Sequence, residues 1–169
     1  MGDWLHEGYP GRVLMVDLSK LTCTTREVPK QVLIESIGGK GLATRLLIDW
    51  DTTEIEAYEN QHPVTGQNDV ASHPSTPLLI MTGPYQGSAV GSTGRAVICT
   101  RSPLTDVYLD TYFGGDFGHD LRQAGWEGLF IFGKSPHLVR LEINDLEAKL
   151  VEVESLRGLT TWSCEQALS

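Results

Sequence analysis

The apolar positions fall in short runs separated by turn residues, the rhythm of small strands alternating with short helices. Val13-Leu14-Met15-Val16-Asp17-Leu18 follows the Pro10-Gly11 turn and reads as a strand, and Ser19-Lys20 turns it into a Thr-rich partner from Thr22 to Val28. Two such runs around a short polar turn predict a hairpin. Pro29 can open a helix, where its missing N–H costs nothing, and Val32, Leu33 and Ile37 give that helix an apolar face before Gly38-Gly39 stops it. A second helix is expected from Leu42 to Trp50, because Leu42, Leu46 and Trp50 recur every four residues on one face.

The stretch from Asp51 to Pro77 breaks this rhythm. It is polar, poor in apolar residues and punctuated by His62-Pro63, His73-Pro74 and Pro77, which predicts a surface insertion. His62 and His73 have no neighbours that would complete a metal site and read as solvated histidines. Buried strands follow at Leu78 to Met81, Ala96 to Thr100 and Val107 to Phe113. Gly114-Gly115 then leads into a helix from Asp116 to Ala124, with Asp116 as its N-cap and Gly125 as its stop. Leu129 to Phe132 is a buried strand, and the alternating runs Leu138 to Ile143 and Ala148 to Val153 turn at Asn144-Asp145. The tail from Leu159 to Ser169 begins a helical pattern and stops inside it, the mark of a piece of a longer protein. The expected organisation is one domain over 1–158, with a polar insertion at 51–77, and a helical tail over 159–169.

An echo runs through these elements. Strand, strand, Gly-Gly, helix and buried strand ending in Gly occurs from Val13 to Gly83 and again from Ala96 to Gly133. A duplicated α+β unit is the fold this predicts. A pocket between two such halves would suit a ligand that is itself two-fold.

Composition narrows the function. The net charge of −9 argues against a broad nucleic-acid or anionic-membrane surface. The three cysteines, Cys23, Cys99 and Cys164, lie far apart, so an iron–sulfur cluster held by this chain alone is not expected. No apolar run is long enough to span a bilayer, and the first residues lack the order of a signal peptide. A cytoplasmic protein is the expectation.

The candidate chemistry lies between Gly83 and Gly118, where Gly83, Gly87, Gly91 and Gly94 precede Arg95 and Arg101, and Gly114-Gly115 follows. Bare backbone admits a ligand closely, and exposed N–H groups beside a guanidinium suit anionic oxygens. From spacing alone, turns and bends explain these glycines more readily than a ligand does. Lys40, in Gly38-Gly39-Lys40-Gly41, could meet an anion, although a solvated lysine is the commoner role.

Six segments in order resemble the aldehyde ferredoxin oxidoreductases, tungsten enzymes with some molybdenum relatives. They are Gly11 to Ser19, Gly38 to Ala43, Thr82-Gly83-Pro84, Ser92 to Arg95, Thr100 to Thr105 and Gly114 to Gly118. The resemblance covers nearly the whole chain and matches that family's N-terminal domain. It implies an α+β fold whose two mainly antiparallel sheets form a base for a tungsten or molybdenum bis-pterin cofactor with magnesium. The cofactor-binding positions it implies are Arg95, Gly94, Thr93, Gly114, Gly115 and Lys40, Arg95 serving as a fork toward pterin or phosphate oxygens. At Tyr112 the chain departs from some relatives, which carry an asparagine that helps hold the magnesium.

No nucleophile–base pair or paired carboxylate stands out, and no catalytic residue is assigned. The resemblance therefore implies an incomplete enzyme. The 4Fe-4S cysteines and proton-transfer residues belong to further domains or a subunit, and ferredoxin would receive the electrons. The whole would oxidise an aldehyde or a related carbonyl or acyl substrate, while this part supplies the cofactor platform. The alternative is a non-catalytic assembly module that keeps the fold without the cofactor. A domain lacking its partner should expose apolar surface and could form a homodimer through it.

Overall fold

A computed structural model describes residues 8–50 and 73–168. The elements run β1 (Arg12–Asp17), β2 (Thr22–Glu27), α1 (Lys30–Ser36), α2 (Gly39–Trp50), β3 (Leu78–Met81), β4 (Ala96–Arg101), β5 (Tyr108–Phe113), α3 (Phe117–Gln123), β6 (Gly128–Phe132), β7 (Val139–Asn144), β8 (Glu147–Glu152), a 3-10 turn (Glu154–Leu156) and α4 (Thr161–Leu168). His62 and most of the expected insertion lie outside the described residues.

The fold is α+β with two sheets, a six-stranded one in the order β2-β1-β6-β3-β4-β5 and the separate hairpin β7-β8. Every pairing is antiparallel except β1 with β6. The strand order reads as a mirror of the sequence echo: β2-β1 and β4-β5 flank the central β6-β3 pair. Strand sense does not follow the echo. β6 runs parallel to β1 and antiparallel to β3, and β3 runs antiparallel to β4, so the outer hairpins point the same way on both flanks.

Alternation along the strands sends successive side chains to opposite faces. Val13, Leu79, Met81, Val97, Cys99 and Phe130 pack one face against Leu33 of α1 and Leu42, Ala43, Leu46 and Leu47 of α2. Leu14, Val16 and Leu129 pack the other against Leu121 of α3 and Trp126, with Leu141, Ile143, Ala148 and Leu150 of the β7-β8 hairpin partly covered beside them. Trp126 fastens the hairpin by donating Nε1–H to the Asp145 carbonyl at 2.8 Å. Each fully buried leucine contributes about 2 kcal/mol, so both layers hold the sheet.

The helix expected from Leu42 begins earlier, at Gly39. The break between α1 and α2 is made by Ile37 and Gly38, both with left-handed φ (62° and 83°). Gly39, Lys40 and Gly41 are already helical. A Cβ on Gly41 would lie 2.2 Å from the Ser36 carbonyl oxygen, so that glycine is what lets the two helices meet closely. Asp116 precedes α3 but makes no side-chain capping bond.

The register gathers particular segments on one margin of the sheet. Arg12 faces Glu27, Val13 and Met81 both face Gly128, Met81 faces Val97, and Ala96 faces Phe113. The starts of β1, β4 and β6 and the ends of β2, β3 and β5 therefore share one margin. Gly38-Gly39, Thr82-Gly83-Pro84, Gly94-Arg95 and Gly114-Gly115 all leave from it.

Candidate functional site

Two corners of this margin differ in how they are built. At the first, Gly39 N–H donates to the Thr82 carbonyl at 3.0 Å, and a Cβ on Gly38 would touch Pro84, Thr82 and Tyr9 at 3.7–3.8 Å. Beneath it lies a buried ion pair. Arg122, from α3, is bonded to Glu127, and their side chains are 5% and 0% exposed. Arg122 also donates to the Gly8 carbonyl and to Thr82 Oγ1 at 3.3 Å, and its guanidinium lies 5.5 Å from the centre of the Tyr9 ring. Glu127 accepts from Gly11 N–H at 3.0 Å. Burial pushes the Glu127 carboxyl above the ordinary range, against the pull of Arg122 and the Gly11 N–H. The ion pair is satisfied by groups of the chain itself.

The second corner is open. A Cβ built on Gly83, Gly91, Gly114 or Gly115 would meet nothing within 4 Å, and one on Gly94 would meet only the Gly115 carbonyl oxygen, at 3.9 Å. Gly115 has φ +100°, which favours glycine, but Gly83, Gly91, Gly94 and Gly114 have no left-handed φ. Neither backbone conformation nor packing among the described residues calls for glycine at these four positions. A hollow of ≈ 320 Å³ lies here, lined by Thr93, Gly94, Gly115, Asp116, His119 and Gln86 among others. Arg95 adjoins it, exposed and with no hydrogen-bond or ion-pair partner among the described residues. The N–H groups of Gly94 and Gly115 donate to no backbone carbonyl among the described residues.

The expected site residues separate accordingly. Thr93, Gly94 and Gly115 line one hollow, and Gly114 and Arg95 are their chain neighbours. Lys40 stands apart. Its ammonium pairs with Asp110 of β5 at 2.8 Å and lies 5.7 Å from the Tyr108 ring centre. The bond to Asp110 raises its pKa above the ordinary value. Around it Thr44 Oγ1 donates to Tyr108 Oη at 3.0 Å, and Tyr108 Oη donates to Cys99 Sγ at 3.1 Å; burial and the Cys99 contact push the Tyr108 hydroxyl up. This network ties α2 to the edge strand β5.

Tyr112, at the expected magnesium-adjacent position, is 53% exposed. His73 Nδ1 lies 2.7 Å from Ser75 Oγ. Among the described residues no group of three or more His, Cys, Asp or Glu could hold a metal ion, and no helix is long and apolar enough to cross a membrane. Sequence reasoning missed Gln86 and His119. The turn after Thr82-Gly83-Pro84 could have flagged Gln86, a large amide among small residues; His119 carried no signal.

A family model described as the aldehyde ferredoxin oxidoreductase N-terminal domain matches residues 13–169. The tungsten-containing aldehyde ferredoxin oxidoreductase of Pyrococcus horikoshii is 27% identical over 161 residues, covering 95% of this chain and 24% of the relative. A Pyrococcus furiosus protein named aliphatic sulfonate oxidoreductase, WOR-like subunit, is 31% identical over 151 residues, covering 89% of this chain and 22% of the relative. Among solved structures, the active-site complex of benzoyl coenzyme A reductase with 1,5-dienoyl-CoA matches with a TM-score of 0.81 at 24% identity, over 95% of this chain and 22% of that one. That likeness is one of fold. The chain spans about a quarter of the length of the curated relatives it matches.

Proposed function

Because the chain belongs to the aldehyde ferredoxin oxidoreductase family, as its N-terminal domain, we propose that its open glycine corner is the platform for a tungsten or molybdenum bis-pterin cofactor. The observation that carries this reading is a set of glycines that the packing of the described residues does not need. Gly91, Gly94 and Gly114 lack both a left-handed φ and a neighbour that a Cβ would strike, and they border the unpaired Arg95. Bare backbone of this kind is expected where a ligand must come close.

The residues fit an anionic, oxygen-rich group. Arg95 would hold pterin or phosphate oxygens with its planar fork, and the N–H groups of Gly94 and Gly115 would donate to the same oxygens. Thr93 does not donate into the hollow, because its hydroxyl is given to the Val90 carbonyl at 3.0 Å; its part is to shape the turn. Among the described residues Asp116 is the one carboxylate in the hollow's lining, and a magnesium ion accompanying the cofactor would have a hard oxygen there. When bound, the cofactor supplies two-electron redox chemistry. The chain supplies binding and orientation.

The complete enzyme would oxidise an aldehyde or related carbonyl or acyl substrate. Electrons would pass to a 4Fe-4S cluster on the remaining domains or subunit and on to ferredoxin. Relatives named for aldehydes and for an aliphatic sulfonate match this same domain, which supports a reading in which substrate choice rests with the parts beyond it. The test is Arg95→Ala in the assembled enzyme. Tungsten and pterin content should fall at least tenfold with the thermal midpoint of the cofactor-free protein unchanged. Wild-type cofactor content in that variant would overturn the reading, and an assembled wild-type enzyme without metal or pterin would favour a non-catalytic assembly module.

A further inference from the structure

Building on the platform reading above, on which this step rests, we propose that Gln123 is a positioning residue for the glycine corner. Its amide clasps the segment 87–94 to α3 and so sets the separation of the hollow's two walls. Residues between Gln86 and Gly94 line one wall, and Gly115, Asp116 and His119, in α3 or just before it, line the other. The groups that would hold the cofactor are divided in the same way, Gly94 and Arg95 on the loop side and Gly115 and Asp116 on the helix side. A ligand gripped from both sides is sensitive to how far apart they stand.

The loop side is lightly tethered. Ser88 N–H donates to the Tyr85 carbonyl at 3.2 Å, Val90 N–H to Ser88 Oγ at 3.2 Å and Thr93 Oγ1 to the Val90 carbonyl at 3.0 Å. All of these close within the loop itself. Among the described residues, the one hydrogen bond from 87–94 to another element is that of Gln123 Nε2, which donates to the Gly87 carbonyl at 2.6 Å.

Glycine makes this contact possible. Gly87 has φ +73°, and a Cβ there would lie 3.0 Å from Gln123 Nε2 and 3.1 Å from Arg122 Cγ, so a larger residue would push the loop off α3. The arrangement is reciprocal. Gln86 accepts from Gly83 N–H through Oε1 at 3.0 Å, and its amide packs over Gly118 of α3, where a Cβ would lie 2.3 Å from Nε2. Each glutamine thus lies against a glycine of the opposite element. Gln86 is buried and anchors the base of the turn, whereas Gln123 is exposed and can be altered without opening the core. A single exposed hydrogen bond adds little to global stability, but a loop already held in place spares a bound ligand the cost of ordering it.

The test uses the assembled enzyme and its cofactor-free form. Gln123→Leu, which keeps the bulk and removes the donor, should release tungsten and pterin on dialysis about fivefold faster than wild type. The thermal midpoint of the cofactor-free protein should not change. Gln123→Lys, which returns an N–H donor to the Gly87 carbonyl, should bring release back toward the wild-type rate. In the cofactor-free protein, elastase should cut after Ala89 or Val90 faster in Gln123→Leu than in wild type, a readout that owes nothing to the cofactor. The proposal is overturned by wild-type release or wild-type cleavage in Gln123→Leu, or by a Gln123→Lys variant no better than Gln123→Leu. Faster release accompanied by a lower midpoint also overturns it, because Gln123 would then be a prop of the fold. Arg95→Ala tells the two readings apart. If it loses the cofactor while Gln123→Leu retains it, the clasp alone fails; if it retains the cofactor, the platform fails and the elastase result alone decides the clasp.

Discussion

The two diglycine corners share a sequence signature and have opposite physical causes. At Gly38-Gly39, glycine is needed by the chain itself. Both residues hold left-handed φ, Gly39 bonds the β3 end, and Gly41 makes room for Ser36. At Gly114-Gly115 only Gly115 needs its φ, and no described residue comes within 4 Å of a Cβ on either. The lesson is that a glycine count locates turns, whereas the fate of an added Cβ separates glycines that serve packing from glycines that serve something outside the chain.

The largest effect belongs to the closed corner. Arg122→Met should destabilise the protein by about 3–5 kcal/mol, because it strands the Glu127 carboxylate in a fully buried place. Denaturant unfolding measures it, and a loss below about 1 kcal/mol would mean the pair is not the strut described. Gly41→Ala comes next. Alanine gains about 1 kcal/mol of helix propensity over glycine, but a Cβ 2.2 Å from the Ser36 carbonyl oxygen forces backbone to move, a cost of about 3 kcal/mol. The clash should win by about 2 kcal/mol in the same measurement.

Much of the frame was legible because β-strands advertise themselves locally. Val13 to Leu18, Leu78 to Met81 and Leu129 to Phe132 are apolar runs between turn residues, and each lies in the central sheet. The pairing of β1 with β6 was not legible, because it joins residues more than a hundred positions apart and no turn residue records it. The pairing of Lys40 was hidden for a related reason. Its charge beside glycines resembled an anion site, whereas its partner, Asp110, comes from a strand seventy residues away. Arg122 and Glu127 carry no mark in the sequence that pairs them, and only the fold sets them in one buried bond. Gly94 and Gly115 were named from the resemblance to the family, but that they line one hollow is a consequence of strand register.

A smaller effect tests the Lys40 network. With its pKa raised by Asp110, Lys40 contributes stability that is fully present below the ordinary lysine value of 10.5 and is lost as pH rises through the higher folded value. Asp110→Asn should remove that alkaline loss, read as a flatter midpoint-against-pH curve above pH 10.5. An unchanged curve would mean the pair contributes nothing, as many exposed pairs do. Cofactor content should be little affected, since Lys40 is tied to β5 and borders a different hollow from Gly94 and Gly115.

The smallest effect on stability is expected at Gly114, and it discriminates best. An alanine there meets no atom within 4 Å and needs no left-handed backbone, so unfolding should stay within about 0.5 kcal/mol of wild type. If the corner takes a cofactor over its bare backbone, the same methyl group stands where the ligand must lie, and tungsten and pterin content of the assembled enzyme should fall several-fold. Gly41→Ala should do the reverse, weakening the fold while cofactor content per folded molecule holds. Two alanines of equal size, placed at corners of like sequence, would thus separate stability from ligand retention. Should Gly114→Ala unfold the protein, or keep its full complement of metal, the open corner is neither open nor a platform.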